Sequence, residues 1–408
     1  MGNSASSATT VRHAPDLRLK LAYYEQPHRH MCSLSVVFFL HRGHADYEFI
    51  LQLMKTNGET CLPFDQTVRS RIDTMAGKIT HCTRERSVVL TLTVPSVSCK
   101  EAFALLMGMV FDTACMQSQE TLDTEKMVYM ERQGHSTKNR SRLLQFGACT
   151  PWLNGATIEH THLVWRHLVS FVDMGIVVCG KWEGELQSAF ATACQYRSDC
   201  RRDHAMLSAC SIEVVPTIDP ATLYAMDAID VRDGDATCSV CINFHLPYVV
   251  HGTNAFYALH ILSSIVGESR TSKIRKRIED CRSFAKSAET TVVYSHEQGC
   301  AHFVVTAVMD SSVYAKTTSS LESSIQSVHK SITAEDVRTH VQRKVHWLIA
   351  SMEDMHRQSC FDCEMFIDDH QDSTLAIANK IKRINLKDVV QISKRLSDAA
   401  RCTFVLSH

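Results

Sequence analysis

Short apolar runs rich in β-branched residues alternate along the chain with longer helical patterns. Residues 33–40 and 87–94 are dominated by Val, Leu, Phe, Ser and Thr, which favours strands. Apolar positions three and four residues apart predict helices between such runs. The predicted strands are 17–24, 33–40, 87–94, 175–180, 236–244, 289–294, 301–308 and 402–406. The predicted helices are 45–56, 65–76, 98–115, 119–133, a helix after Trp182, 253–266, 271–281, 312–330, 335–345 and 386–396.

One local pattern occurs twice. An apolar helical stretch ends in Gly-Glu at Gly58 and again at Gly267, and glycine after a helix is typical of a left-handed C-cap. Further along, Arg71 and Arg277 are separated by nearly the same number of residues as the two glycines. The repeat predicts two structurally related halves.

The mixture of strands and helix pairs indicates an α+β fold. Each half is expected to be a mainly antiparallel sheet covered by helices. The predicted division is a flexible N-terminal tail over 1–16, a first domain over 17–195, a charge-rich linker over 196–216 and a second domain over 217–408.

Composition excludes several classes of protein. The 408 residues are 45% hydrophobic and 21% charged, so the chain has enough apolar surface to fold. A net charge of -1 offers no attraction for polyphosphates, which argues against nucleic acid as a partner. No stretch approaches the ~18 apolar residues of a transmembrane helix. Neither a Ser/His/Asp order nor a glycine-rich phosphate loop supports a nucleophile hydrolase or a nucleotide enzyme.

The 17 cysteines are an odd number spread along the chain, which is typical of reduced, buried thiols. Two CxxC pairs raise the question of zinc. Cys238 and Cys241 fall in a predicted strand, where residues three apart point to opposite faces. Cys360 and Cys363 have no second ligand pair nearby, whereas a tetrahedral zinc site needs four ligands. We therefore expect both pairs to serve packing.

Histidine-rich segments offer a further possible metal site. His160 and His162, with His167 downstream, would share a side only on an extended strand, because residues two apart face different ways on a helix. Scattered surface histidines are the commoner outcome.

The N-terminus admits three interpretations. Gly2 and Ser6 fit the M-G-x-x-x-[ST] pattern of N-myristoylation, so Gly2 is a candidate lipidation site. The same residues also fit a flexible Ser/Thr-rich tail. Residues 1–15 contain no acidic residue, as in import peptides, although Arg12 is their only basic one.

Several motifs, taken in order, resemble the insulinase/pitrilysin metallopeptidases, the M16 family. The run Thr83-Arg84-Glu85 before a strand is similar to the end of a family motif. The helical stretch 125–131 resembles the family helix that supplies the last metal ligand, and 177–180 resembles the strand that closes its first half. In the second half, 255–274 and 332–337 resemble further family segments. The resemblance spans about residues 17–408 and implies the two-lobed fold of M16 and LuxS/processing-peptidase-like proteins.

The resemblance places the family's zinc motif, HxxEH, on residues that cannot perform its chemistry. Two histidines of one helix should bind Zn²⁺ while the glutamate acts as base. Here Phe49 and Leu53 stand at the histidine positions and Gln52 at the glutamate position. The hydrocarbon side chains of Phe49 and Leu53 cannot bind a metal ion, and the amide of Gln52 cannot abstract a proton. Glu131 alone is retained. We therefore predict no catalytic residues and no zinc cofactor, with Phe49 and Leu53 filling a core.

The substrate-contacting residues of the family are also incomplete, which further supports an inactive homologue. In active relatives an Arg and a Tyr of the second half contact the substrate, but residues 275–286 contain Arg and no Tyr. The glycine-rich loop of the non-catalytic processing-peptidase subunit is also missing after Gly267.

The functional hypothesis is an inactive M16-type homologue. The resemblance implies a structural or non-catalytic subunit of a mitochondrial complex, paired with a homologous M16-type subunit in the processing peptidase or in respiratory complex III. It places the chain on the matrix side of the inner membrane.

Two alternatives stay open. One is a zinc metalloendopeptidase with unusual ligands, such as Glu131 with His81 or His135. The other is a lipid-tethered scaffold, cytoplasmic and membrane-associated through Gly2.

Overall fold

The computed structural model describes the following residues: 10–26, 28–39, 49–51, 53, 68–84, 87–111, 119–135, 157–183, 185–203, 228–230, 237–268, 272–274, 285–295, 299–367 and 374–407. The chain divides into two units. Unit 1 contains Met1–Gln133, Ala148–Val215 and Ala350–Leu375, and unit 2 contains Gly134–Gly147, Pro216–Ile349 and Ala376–His408.

Unit 1 is built on a six-stranded sheet in the order β1-β2-β6-β3-β5-β4. Strands β2 and β6 are parallel, and the other neighbours are antiparallel. The strands are β1 (Thr10–Ala14), β2 (Leu19–Glu25), β3 (Met31–Phe39), β4 (Lys78–Arg84), β5 (Ser87–Pro95) and β6 (Asp173–Gly180). Its helices are α1 (Val68–Thr74), α2 (Cys99–Phe111), α3 (Gln119–His135), α4 (Ile158–Phe171), α5 (Leu186–Asp203) and α9 (Met355–Ile367).

Unit 2 contains a five-stranded sheet in the order β7-β11-β8-β10-β9. The strands are β7 (Ala228–Asp230), β8 (Thr237–Leu246), β9 (Ala285–Ser295), β10 (Cys300–Asp310) and β11 (Arg401–Ser407). The helices are α6 (Asn254–Ser263), α7 (Tyr314–Ser327), α8 (Ala334–Ser351), α10 (Thr374–Lys382), which begins at the end of unit 1, and α11 (Leu386–Ser397). One π-helical turn, Ser264–Glu268, continues α6.

The two sheets have the same topology. The order β2-β6-β3-β5-β4 in unit 1 corresponds to β7-β11-β8-β10-β9 in unit 2. In both, the first two strands of this order are parallel and the rest are antiparallel. The predicted α+β class and the two related halves are therefore confirmed.

The observed organisation differs from the predicted division in three places. Strand β1 lies within the segment 1–16 that was expected to be a flexible tail, and it pairs with β2. Residues 350–375 belong to unit 1 and not to a second domain over 217–408. Helix α5 continues to Asp203, into the predicted linker 196–216.

Arg197 explains why a charge-rich segment stays helical. Its side chain is fully buried, and its guanidinium donates hydrogen bonds to the carbonyls of Leu17, Val169 and Val172. Two of these carbonyls lie at the C-terminal end of α4, where the last carbonyls of a helix lack intrahelical donors. Burial lowers the pKa of Arg197 to about 9. One of the charges that suggested a linker, Arg197, is thus a buried connection between elements.

Both faces of the unit 1 sheet are covered. On one face the even-numbered side chains of β3, Leu34, Val36 and Phe38, join the main hydrophobic core. On the other face Ser33 and Ser35 contact Thr93 and Thr91 of β5 at 3.2 and 2.8 Å between hydroxyl oxygens. Helix α9 lies against this second face.

Helix α9 is attached to the sheet through a buried carboxyl group. Asp362 accepts hydrogen bonds from the thiol of Cys179 at 3.1 Å and from the Gln358 amide at 2.8 Å. A further contact joins the hydroxyls of Ser35 and Ser359 at 3.2 Å. Burial raises the pKa of Asp362 to about 7, although the two hydrogen bonds oppose the shift. The same burial holds the pKa of Cys179 well above that of an ordinary thiol, which argues against a reactive cysteine.

The raised pKa of Asp362 predicts a pH-dependent stability. The folded state binds a proton that the unfolded state loses above its ordinary pKa of 3.8. The free energy of unfolding should therefore fall by about 1.4 kcal/mol per pH unit as the pH rises from about 4 to about 7. Above that pH it should level off. Replacing Asp362→Asn should remove this decline and leave the protein at least as stable as the wild type at pH 8.

Denaturant unfolding at several pH values measures the effect. The exposed Glu353→Gln, just before α9, is the matched control and should keep the wild-type pH profile. Parallel profiles for Asp362→Asn and the wild type would contradict the assignment.

Candidate functional site

The residues that the resemblance places at the two zinc-binding histidine positions are part of the hydrophobic core. Residues 49–51 and 53 are helical, and the side chains of Phe49 and Leu53 are 0% and 1% exposed. Both belong to the main core of unit 1, as the apolar i, i+4 pair predicted. Gln52 lies outside the described residues. Carbon and hydrogen atoms at these two positions supply no lone pair for a metal.

The helix that carries Glu131 reaches this segment through an aromatic contact. The Phe49 ring packs edge-on against Tyr129 of α3, with ring centroids 5.4 Å apart. Glu131 follows two residues later in the same helix, and only its backbone is described. The structure thus brings together the two helical segments that the resemblance pairs, with an aromatic contact between them.

The alternative ligands are placed differently. His81 lies in β4 directly opposite Leu90 of β5, so both side chains share the sheet face that carries the main core. His135 is at the end of α3, and its side chain lies outside the described part. The structure therefore places His81 on the sheet face that carries the main core, whereas the side chains of Glu131 and His135 lie outside the described residues.

The two CxxC pairs lie in regular secondary structure. Strand β8 contains Cys238 and Cys241, which point to opposite faces. Burial raises the pKa of Cys241 to about 12. Helix α9 contains Cys360 and Cys363, and Cys363 packs in the core between α9 and the sheet.

The histidine-rich segment forms a helix. Residues two apart on a helix are rotated by about 200°, so His160 and His162 of α4 diverge. The alternative in which His160 and His162 share a metal on an extended strand is therefore wrong, because the segment is helical.

Other sequence candidates fall partly outside the described residues. These are Gly2, Glu85 and most of the window 275–286. Lys286, at the end of that window, is exposed on β9 and forms an ion pair with Asp310 at 2.9 Å.

One group with metal-ligand geometry was missed by the sequence analysis. Among the described residues, one potential metal-ligand atom from each of His245, Cys300 and His302 lies within 4.8 Å of the other two. They occur at the ends of β8 and β10, where the strand register brings distant residues together. A sequence signal did exist in the alternation of Cys300 and His302, which places both on one face of a strand.

In the part of the chain that the structure describes, no helix is both long and apolar enough to cross a bilayer.

Comparison with known proteins identifies the fold. No protein-family model matches the chain, and no curated protein matches it in sequence. A protease from Helicobacter pylori is similar in structure, with a TM-score of 0.69, 11% identity and 99% of each chain covered. The peptidase M16 inactive domain from Pseudomonas fluorescens gives a TM-score of 0.70 at 10% identity, covering 99% of this chain and 97% of that one.

A third solved structure extends the comparison. A chain of Complex III2 from Candida albicans, with Inz-5 bound, gives a TM-score of 0.66 at 12% identity, covering 95% of this chain and 93% of that one. The resemblance to M16-type proteins is therefore confirmed at the level of the fold.

The burial of the degenerate positions predicts a large structural cost for truncation. Leu53→Ala should lower the free energy of unfolding by about 2–5 kcal/mol, because it leaves a cavity in a closed core. Val97→Ala is the matched control, since Val97 is 79% exposed and should change stability by less than about 0.5 kcal/mol. Denaturant unfolding measures both, and equal, small effects would contradict a packing role for Leu53.

Proposed function

We propose that the chain is a catalytically inactive M16-type peptidase homologue that acts as a structural or non-catalytic subunit. The observation that carries the proposal is the burial of Phe49 and Leu53 at the positions of the two zinc-binding histidines. A catalytic zinc ion needs three protein ligands and an open position for water. A closed hydrocarbon core at two of these positions supplies neither. The similarity in fold to an M16 inactive domain supports this proposal.

The partner that we propose is a homologous M16-type subunit, with which the chain forms a heterodimer. The similarity to a chain of Complex III2 over nearly the full length supports a place in a larger assembly. We propose a mitochondrial complex, either the processing peptidase or respiratory complex III, on the matrix side of the inner membrane. The balanced charge of the chain argues against nucleic acid as a partner.

The competing function is a zinc metalloendopeptidase with non-standard ligands. The position of His81 on the same sheet face as the main core is the observation that favours it. In that case Glu131 would have to complete the ligand set. The lipid-tethered scaffold depends only on Gly2 and Ser6.

A cleavage assay tests inactivity. The purified chain, supplied with Zn²⁺ and unstructured peptides, should show no cleavage that a chelator abolishes, because no base and no histidine pair occupy the motif. An active M16 peptidase serves as the positive control. Chelator-sensitive cleavage that Glu131→Gln or His81→Gln removes would establish the competing enzyme.

Affinity purification from the source cell tests the partner. The tagged full-length chain should recover a second M16-type chain in about equal amount, since such subunits pair through large permanent interfaces. Accompanying respiratory-chain subunits would support complex III, and a single catalytic homologue would support the processing peptidase. Recovery of the chain alone, with a myristoylated N-terminal peptide by mass spectrometry, would support the scaffold and contradict the proposal.

A further inference from the structure

Three donor side chains converge on one face of the unit 2 sheet. In the antiparallel pair β8–β10, His245 lies directly opposite His302. Cys300 precedes His302 by two residues, so its side chain points to the same face. The strand register therefore brings a thiol and two imidazoles together from positions that are far apart in sequence.

The distances match the edges of a metal coordination sphere. The sulfur of Cys300 lies 3.5 Å from Nε2 of His302 and 3.8 Å from Nδ1 of His245. A tetrahedral Zn²⁺ with Zn–S of about 2.3 Å and Zn–N of about 2.0 Å separates its sulfur and nitrogen ligands by about 3.5 Å. All three ligand atoms lie within 4.8 Å of one another, so side-chain rotations would bring both nitrogens and the sulfur onto one ion.

A fourth side chain orients one of the imidazoles. Nδ1 of His302 lies 3.3 Å from Oδ1 of Asn243, which is also buried. Because an amide oxygen accepts, Nδ1 carries the hydrogen and Nε2 keeps its lone pair toward Cys300. A metal-binding histidine usually has such a partner on its other ring nitrogen, which fixes the ring and its tautomer.

The three side chains are largely shielded from solvent. His302 and Cys300 are 5% and 1% exposed, whereas His245 is half-buried and gives the group an approach from solvent.

We propose that His245, Cys300 and His302 form a binding site for one Zn²⁺ ion, with a fourth position for water or an external donor. Two imidazoles and one thiolate are a donor set that suits this borderline cation better than Mg²⁺ or Ca²⁺, which prefer oxygen. Binding converts the Cys300 thiol to a thiolate and releases its proton to solvent, so one proton leaves for each ion bound. The site links β8 to β10 and is separate in sequence from the degenerate motif at 49–53.

Metal analysis of the purified full-length chain tests the site. After loading with Zn²⁺ and removal of excess, the wild type should retain about one zinc per chain, and Cys300→Ala should lose nearly all of it. Cys238→Ala is the matched control, because it removes a buried thiol from the opposite face of β8 and should keep the zinc. His245→Gln should weaken binding at least tenfold, since it removes one of three ligands.

Cobalt provides a second measurement at the same site. Replacing Zn²⁺ with Co²⁺ should produce a thiolate-to-cobalt charge-transfer absorption in the wild type and in Cys238→Ala, and none in Cys300→Ala. Far-UV circular dichroism establishes that each variant is folded. A folded wild type without stoichiometric zinc, or a Cys300→Ala variant that retains it, would overturn the proposal.

The outcome is distinguishable from that of the proposed function. Zinc that depends on Cys300, without peptide cleavage, supports both proposals. Cleavage that depends on Glu131 and survives in Cys300→Ala contradicts the proposed inactivity. In that case the zinc that Cys300→Ala loses relative to the wild type decides whether the β8–β10 site exists.

Discussion

Burial of both faces of the central strands is the constraint on which the structure depends. Strand β3 is buried through its interior, so its polar side chains must find hydrogen-bond partners within the protein. On one face the strand supplies aliphatic and aromatic side chains to the core. On the other face Ser33 and Ser35 pair with threonines of β5. Strands β8 and β10 of unit 2 meet the same requirement with Asn243, His302 and Cys300.

The same constraint favours hydrocarbon side chains at positions 49 and 53, which the resemblance assigns to zinc-binding histidines. A histidine without metal inside an apolar core leaves polar nitrogens that must be hydrogen-bonded, at a cost of about 1–3 kcal/mol for each unmet bond. Phe49 and Leu53 avoid this cost, and the ring of Tyr129 fills the adjoining space. Phe49 and Leu53 therefore offer no metal ligand and at the same time contribute packing to the core.

The sequence predicted the repeated α+β architecture because strand and helix periodicities are local properties. It misassigned the segment around Arg197, since charge usually indicates exposure and only the fold shows three carbonyls around this guanidinium. It also missed the metal-ligand cluster for a specific reason. The predicted strands ended at residue 244 and began at 301, whereas β8 reaches Leu246 and β10 begins at Cys300. His245 and Cys300 lie at those two ends, and their proximity depends on register, which a single sequence does not determine.

Metal content and peptidase activity are separate properties in such a chain. A catalytic HxxEH helix holds two histidines and a base on one face, so that the base contacts the metal-bound water. In the β8–β10 cluster the ligands come from paired strands, and the neighbouring polar residue is Asn243, whose amide accepts a hydrogen bond but cannot take a proton. Zinc bound there would stabilise the pairing of two strands, and the Asn243 amide could not act as the base for a water at the fourth position. Phe49 and Leu53 belong to unit 1 and the β8–β10 cluster to unit 2, so apolar side chains at the first position do not affect the donor set of the second.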